Sequence, residues 1–168
     1  MLNKLQKIKK EKSANGFTII EVMIVLAIAG LIILIVFLAV PALQRNSRNT
    51  AIKNDASAVS AGVTEFLSNN DGKVPVATSS SSSNGTVTIN NASGTEATAK
   101  VQPGTTVNFA DGPSAVTPVA GVITVQFKSK CPASVSGTSV TPTTNARSTA
   151  VVYAVETASS QAAKCVDS

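Results

Sequence analysis

The sequence predicts an α+β chain: one long N-terminal α-helix, apolar in its first half and amphipathic in its second, packed on an antiparallel β-sheet of about four strands. Three observations carry this expectation. Val22–Leu43 reads VMIVLAIAGLIILIVFLAVPAL, a run without a single charge. Beyond it Ile52, Ala56, Val59, Val63 and Phe66 or Leu67 recur every three or four residues among polar neighbours, which is the stripe of a half-buried helix. Later come β-branched runs separated by Gly and Pro, the pattern of short strands and turns.

The first element is a basic leader. Of the formal net charge of +5, residues 1–16 hold +4, from Lys4, Lys7, Lys9, Lys10 and Lys12 against Glu11, so everything after Gly16 carries only +1. With no Trp and one Tyr in a nearly neutral body, the basic stripe and aromatic platforms of a nucleic-acid binder are missing, and no dedicated nucleic-acid site is expected.

The second element is the apolar run. At about 1.5 Å per helical residue it crosses a hydrocarbon core of roughly 30 Å. It is apolar on every face, which excludes the one-sided stripe of a soluble amphipathic helix. The leader lysines outnumber Arg45, Arg48 and Lys53 just after the run, so the leader is expected to stay cytoplasmic and the C-terminal body to face outward.

Glu21 interrupts this apolar character among Phe17, Ile19, Ile20 and Val22, where an ionised carboxylate costs several kcal/mol unless paired or close to the interface. Either Glu21 has a function or it snorkels to the cytoplasmic headgroups.

The surrounding string, KSANGFTIIEVMIVLAIAG, resembles the prepilin (class III) signal of type IV pilins: a basic leader, Gly, then Phe-Thr-aliphatic-Ile-Glu opening an apolar helix. The resemblance, to the Phe-starting, type IVa-like branch, covers residues 13–40. It implies that a prepilin peptidase cuts between Gly16 and Phe17 and methylates the new amine of Phe17. It also implies that Glu21 and Phe17 act in assembly, and that the partners are the membrane, the pilus assembly machinery and other copies of the chain in a helical filament. A cationic amine on Phe17, four residues before Glu21, makes a charge pair possible, and opposite charges offset each other's desolvation. The implied location is the inner membrane for the precursor and the cell surface for the filament, with adhesion, twitching motility or DNA uptake as outputs. The alternative is a pseudopilin of a type II secretion system. A third reading, an ordinary signal peptidase site at Val40-Pro41-Ala42, leaves Glu21 and GFTIIE without a role.

Gly30 and Pro41 are the candidate helix-breaking residues. Either the segment between them loosens, or Pro41 only bends a continuous helix. Asn69-Asn70-Asp71-Gly72 is expected to end the helix. The predicted strands are Thr86–Ile89, Thr105–Phe109, Val122–Phe127 and Thr149–Val155. Turns at Pro103-Gly104, Gly112-Pro113 and Gly121 favour a meander. The Ser-rich stretch 78–91, with Ser79–Ser83 inside it, is expected to be a solvated or glycosylated loop, and Asn91-Ala-Ser93 fits a sequon. These readings divide the chain into leader (1–16), transmembrane and polymerisation helix (17–43), amphipathic continuation (44–70) and globular β-rich head (71–168).

Cys131 and Cys165 lie too far apart for a CxxC motif, and the chain has no His to share a metal with them. A disulfide is the simplest use, and two buried thiols are the alternative. Without His there is no Ser-His or Cys-His catalytic pair, so neither an enzyme nor a cofactor is expected.

Overall fold

A computed structural model describes residues 16–91, 94, 96–135 and 137–168. The leader up to Asn15 and residues Ala92 and Ser93 of the sequon lie outside the described residues. The chain divides into two compact units, one ending at Ala42 and one spanning Leu43–Ser168.

Helix α1 runs from Ile19 to Asn69. In the first unit every large aliphatic and aromatic side chain from Phe17 onward is exposed. A helix this long and apolar can cross a membrane by length and composition. In the second unit the same helix carries Ile52, Ala56, Val59, Val63 and Phe66 as a buried stripe, the spacing that its sequence predicts, with Leu67 half-buried beside it. After Asn69 the chain turns through Asp71 (φ 56°) and Gly72 (φ 74°), and the Gly72 N–H closes on the Leu67 carbonyl at 2.8 Å. The left-handed pair ends the helix as a C-terminal cap does.

Among the described residues the head is an α+β unit with seven strands in two sheets, rather than one antiparallel sheet of about four. The first sheet has the order β1 (Ser81–Ser83), β2 (Thr86–Asn90), β3 (Glu96–Lys100), all antiparallel. The second has the order β4 (Thr106–Asp111), β5 (Val122–Lys130), β6 (Thr143–Glu156), β7 (Gln161–Asp167). All four predicted strands are present, as β2, β4, β5 and β6.

Two expectations are corrected. The meander fails at β4–β5, which pair in parallel from Thr106↔Val122 to Asp111↔Phe127. Gly112 and Gly121 do not make one tight turn. The ten residues from Gly112 to Gly121 carry the chain back to the starting end of β4, so β5 sets out in the same direction. The Ser-rich stretch is not all loop either, because Ser81–Ser83 pairs with Thr86–Thr88. Serine has little strand preference of its own. Asn84 (φ 48°) and Gly85 (φ 73°) supply the two left-handed residues of a two-residue hairpin turn, and that turn folds the serines onto β2.

The helix stripe packs against Val87, Ile89, Ala97 and Ala99 of the first sheet and Ile123, Val125, Phe127, Val151 and Tyr153 of the second. The first sheet comes so close at Gly62 that an added Cβ would stand 3.1 Å from Ala99 Cβ and 3.2 Å from Ile89 Cδ1. The opposite face of the second sheet is covered by two irregular excursions. They bury Val140, Val152 and Ala163; the Val116↔Val140 bridge ties the two together, and the Ala163 N–H of β7 donates to the Gly137 carbonyl of the second.

Candidate assembly site

Gly16 and Phe17 precede the helix in irregular, exposed backbone, and a side chain at Gly16 would meet nothing within 4 Å. The peptide bond between them is therefore sterically open. Thr18 and Glu21 then start the helix together. The Thr18 N–H donates to Glu21 Oε2 at 3.1 Å, the Thr18 hydroxyl donates to the same oxygen at 2.8 Å, and the Glu21 N–H donates back to Thr18 Oγ1 at 3.3 Å. This is a reciprocal capping box, in which the Thr18 and Glu21 N–H groups find side-chain acceptors, the Glu21 N–H also reaching the Thr18 carbonyl at 3.1 Å. It places a carboxylate at the positive end of the helix dipole. Phe17, Glu21, Val22, Val25 and Leu26 line an apolar concavity of about 350 Å³, so the carboxylate lies on the rim of a hydrophobic surface.

The sequence brings Phe17 and Glu21 to one end of the helix but leaves the role of Thr18 unread. The signal was present, since Thr-x-x-Glu before an apolar run is the capping-box pattern. Helix α1 continues through Gly30 and Pro41 without interruption. Gly30 faces open space, with nothing within 4 Å of an added Cβ.

Away from this end, Cys131 and Cys165 form a disulfide with a Cα–Cα distance of 5.8 Å. It ties the start of the second excursion to β7. The adjacent Cys131 N–H donates to Asp167 Oδ1 at 2.6 Å.

A set of contacts that the sequence does not suggest joins α1 to the β6–β7 hairpin. Arg48 forks onto Glu156, Nε to Oε1 at 2.9 Å and Nη2 to Oε2 at 2.7 Å. Asn49 closes a second two-bond ring with the backbone of Glu156, and Arg45 donates to the carbonyls of Thr157 and Ala158. A cavity of about 360 Å³ opens beside them, lined in part by Ile52, Pro103, Thr105 and Ala154. Two of its lining residues are held by buried Asp55, which accepts from the Gln102 N–H and the Thr105 hydroxyl.

No curated protein sequence and no solved structure matches the chain. A family model does match, over a stretch that spans the capped helix start and most of the exposed apolar helix. The geometry of that stretch, an open Gly16–Phe17 bond followed by a carboxylate-capped and fully exposed apolar helix, fits a membrane-anchored precursor. Residues 12–37 carry the prokaryotic N-terminal methylation motif, the class III signal of type IV pilins.

Proposed function

We propose that the chain is the structural subunit of a type IV pilus. The single observation that carries this reading is the methylation motif at residues 12–37, set on a helix whose large apolar side chains are all exposed from Phe17 to Leu43. So much apolar surface needs lipid before assembly and other copies afterwards.

In this mechanism the precursor inserts with its leader on the cytoplasmic side and its head outside. Prepilin peptidase cuts between Gly16 and Phe17, where the backbone is open, and methylates the Phe17 amine. Cleavage leaves a cationic amine one residue before the capping box. Both bonds of that box to the carboxylate end on Glu21 Oε2. Oε1, on which neither of these bonds ends, is the acceptor for the Phe17 amine of a neighbouring copy in this reading. In a lipid-like bundle that pair offsets two desolvation penalties and sets the axial register of the incoming subunit. Residues 17–43 form the polymerisation helix, 44–70 its continuation, and 71–168 the exposed head. Gly30 and Pro41 lie inside the polymerisation helix, where either the segment between them loosens in the filament or Pro41 only bends a continuous helix. The filament serves adhesion, twitching motility or DNA uptake.

The motif is shared by pseudopilins of type II secretion systems, which give the second reading. The Cys131–Cys165 disulfide near the C-terminus favours the pilus. Electron microscopy of sheared surface fractions, with an antibody to the head, tests the choice. Long labelled filaments are the expected result. Their absence together with a secretion defect on deletion would replace the pilus by the pseudopilin.

A further inference from the structure

Within the head unit, α1 is attached to the sheets in two different ways. From Ile52 onward it is held by buried aliphatic side chains. Before Ile52, none of the residues Leu43–Ala51 is buried, and the partners of this stretch are polar groups of the β6–β7 hairpin.

Four of those bonds converge on one residue. Glu156 receives the Arg48 fork on its carboxylate, while its N–H donates to Asn49 Oδ1 at 2.7 Å and its carbonyl accepts from Asn49 Nδ2 at 2.8 Å. Arg45 reaches one and two residues further, to Thr157 and Ala158 at 3.4 and 3.2 Å. The hairpin is itself stiffened by the Thr157 N–H bond to the Ser160 carbonyl at 2.8 Å, so it accepts as a rigid block. Hydrogen bonds from Arg48 hold the Glu156 carboxyl below its ordinary range, which keeps it ionised and able to accept the fork.

We propose that Arg45, Arg48 and Asn49 form a releasable latch. It holds the first two turns of the head's helix on the β6–β7 hairpin, and it opens as a unit while the stripe from Ile52 to Phe66 stays packed. Water already reaches the pair, with the Arg48 side chain 56% and the Glu156 side chain 24% exposed. Exposed ion pairs are weakly stabilising and are screened by salt. A bidentate fork is directional, however, so losing it also loses the alignment that lets Asn49 close its ring. No fully buried side chain stands in this stretch to hold it once the bonds break. Local opening of such a segment lies well below global unfolding in free energy. The open state uncovers Arg45, Arg48 and Glu156 and widens the cavity beside Ile52 and Ala154.

The Glu156 amide is a direct reporter, because its hydrogen bond is to Asn49 and not to the sheet. Amide exchange is measured by NMR on the full chain in detergent micelles, at low salt and in 0.5 M NaCl, for the wild type and Arg48→Ala. Spin labels on Ser47 and Ser159 report the helix-to-hairpin distance. The expected result is exchange at Glu156 about tenfold faster in Arg48→Ala, with a broadened label distance and unchanged exchange at Val59 and Val63. Salt should shift the wild type in the same direction. Wild-type protection of Glu156 in Arg48→Ala would overturn the latch, since Asn49 would then hold alone. Equal acceleration at Val59 and Val63 would overturn it too, since opening would then be unfolding of the whole head.

Discussion

The Thr18 hydroxyl and the Glu21 carboxylate are hydrogen-bonded at 2.8 Å, and the Glu21 N–H returns a bond to the same hydroxyl at 3.3 Å. The acid in the N-terminal apolar stretch is thus held in place within a single chain, before any other subunit arrives. Replacing Thr18 by Val keeps its shape and removes the hydroxyl. Loss of a cap costs about 1 kcal/mol, so the Glu21 and Val22 amides should exchange about fivefold faster. Thr18→Ser, which retains the hydroxyl, should exchange like wild type. Equal exchange in all three chains would show that the box does not hold the helix start.

Gly62 lies where the first sheet meets the helix. A valine there drives methyl groups into Ala99 and Ile89, and overpacking of this kind costs about 1–3 kcal/mol. Ala61→Val, one residue earlier on the exposed face, is the control and should stay within about 0.5 kcal/mol of wild type. Denaturant melts of both variants give the comparison. Similar stability for the two would mean that the sheet yields at Gly62.

The Cys131–Cys165 bond closes a loop with a sequence separation of 34. Opening a loop of that size should lower stability by about 3–4 kcal/mol, and the second excursion should lose its cover over Val152 and Ala163 first. Equilibrium unfolding with and without reductant measures the difference, and alkylation of native protein should find no thiol. Two reactive thiols in native protein would contradict the bond.

Much of the helix was legible because its signals are local. A charge-free run and a stripe at helical spacing need no knowledge of their partners, and the stripe residues were found in the core. The strands divide by the same rule. β5 and β6 carry dense β-branched runs and were recognised, whereas β3 (Glu-Ala-Thr-Ala-Lys) and β7 (Gln-Ala-Ala-Lys-Cys-Val-Asp) look unlike strands. In β3 the small Ala99 abuts Gly62, a contact between distant parts of the chain. The parallel pairing of β4 and β5 depends on where the intervening residues travel, which their composition does not reveal. The Arg48–Glu156 fork joins residues 108 positions apart and has no local signature. Asn84-Gly85 did carry a hairpin signal, masked by the serines before it.

At the assembly site, Glu21→Gln should leave membrane insertion and cleavage intact, because the chain becomes more apolar and the cut lies upstream of Glu21. Filament growth should fail. Removing one partner of a buried pair costs about 3–5 kcal/mol, and the penalty recurs at every subunit. Immunoblots of sheared filaments and of processed monomer in the membrane separate the two steps. Wild-type filament yield from the Glu21→Gln strain would mean that the acid only snorkels at the headgroups.

If Phe17 becomes a methylated N-terminus from which the chain polymerises, the mass of the N-terminal peptide in purified surface filaments must show it. The expected peptide begins at Phe17 and is heavier by one methyl group on its amine, in filaments built from this chain. A chain beginning near residue 43, or one retaining its lysine-rich leader, would contradict it.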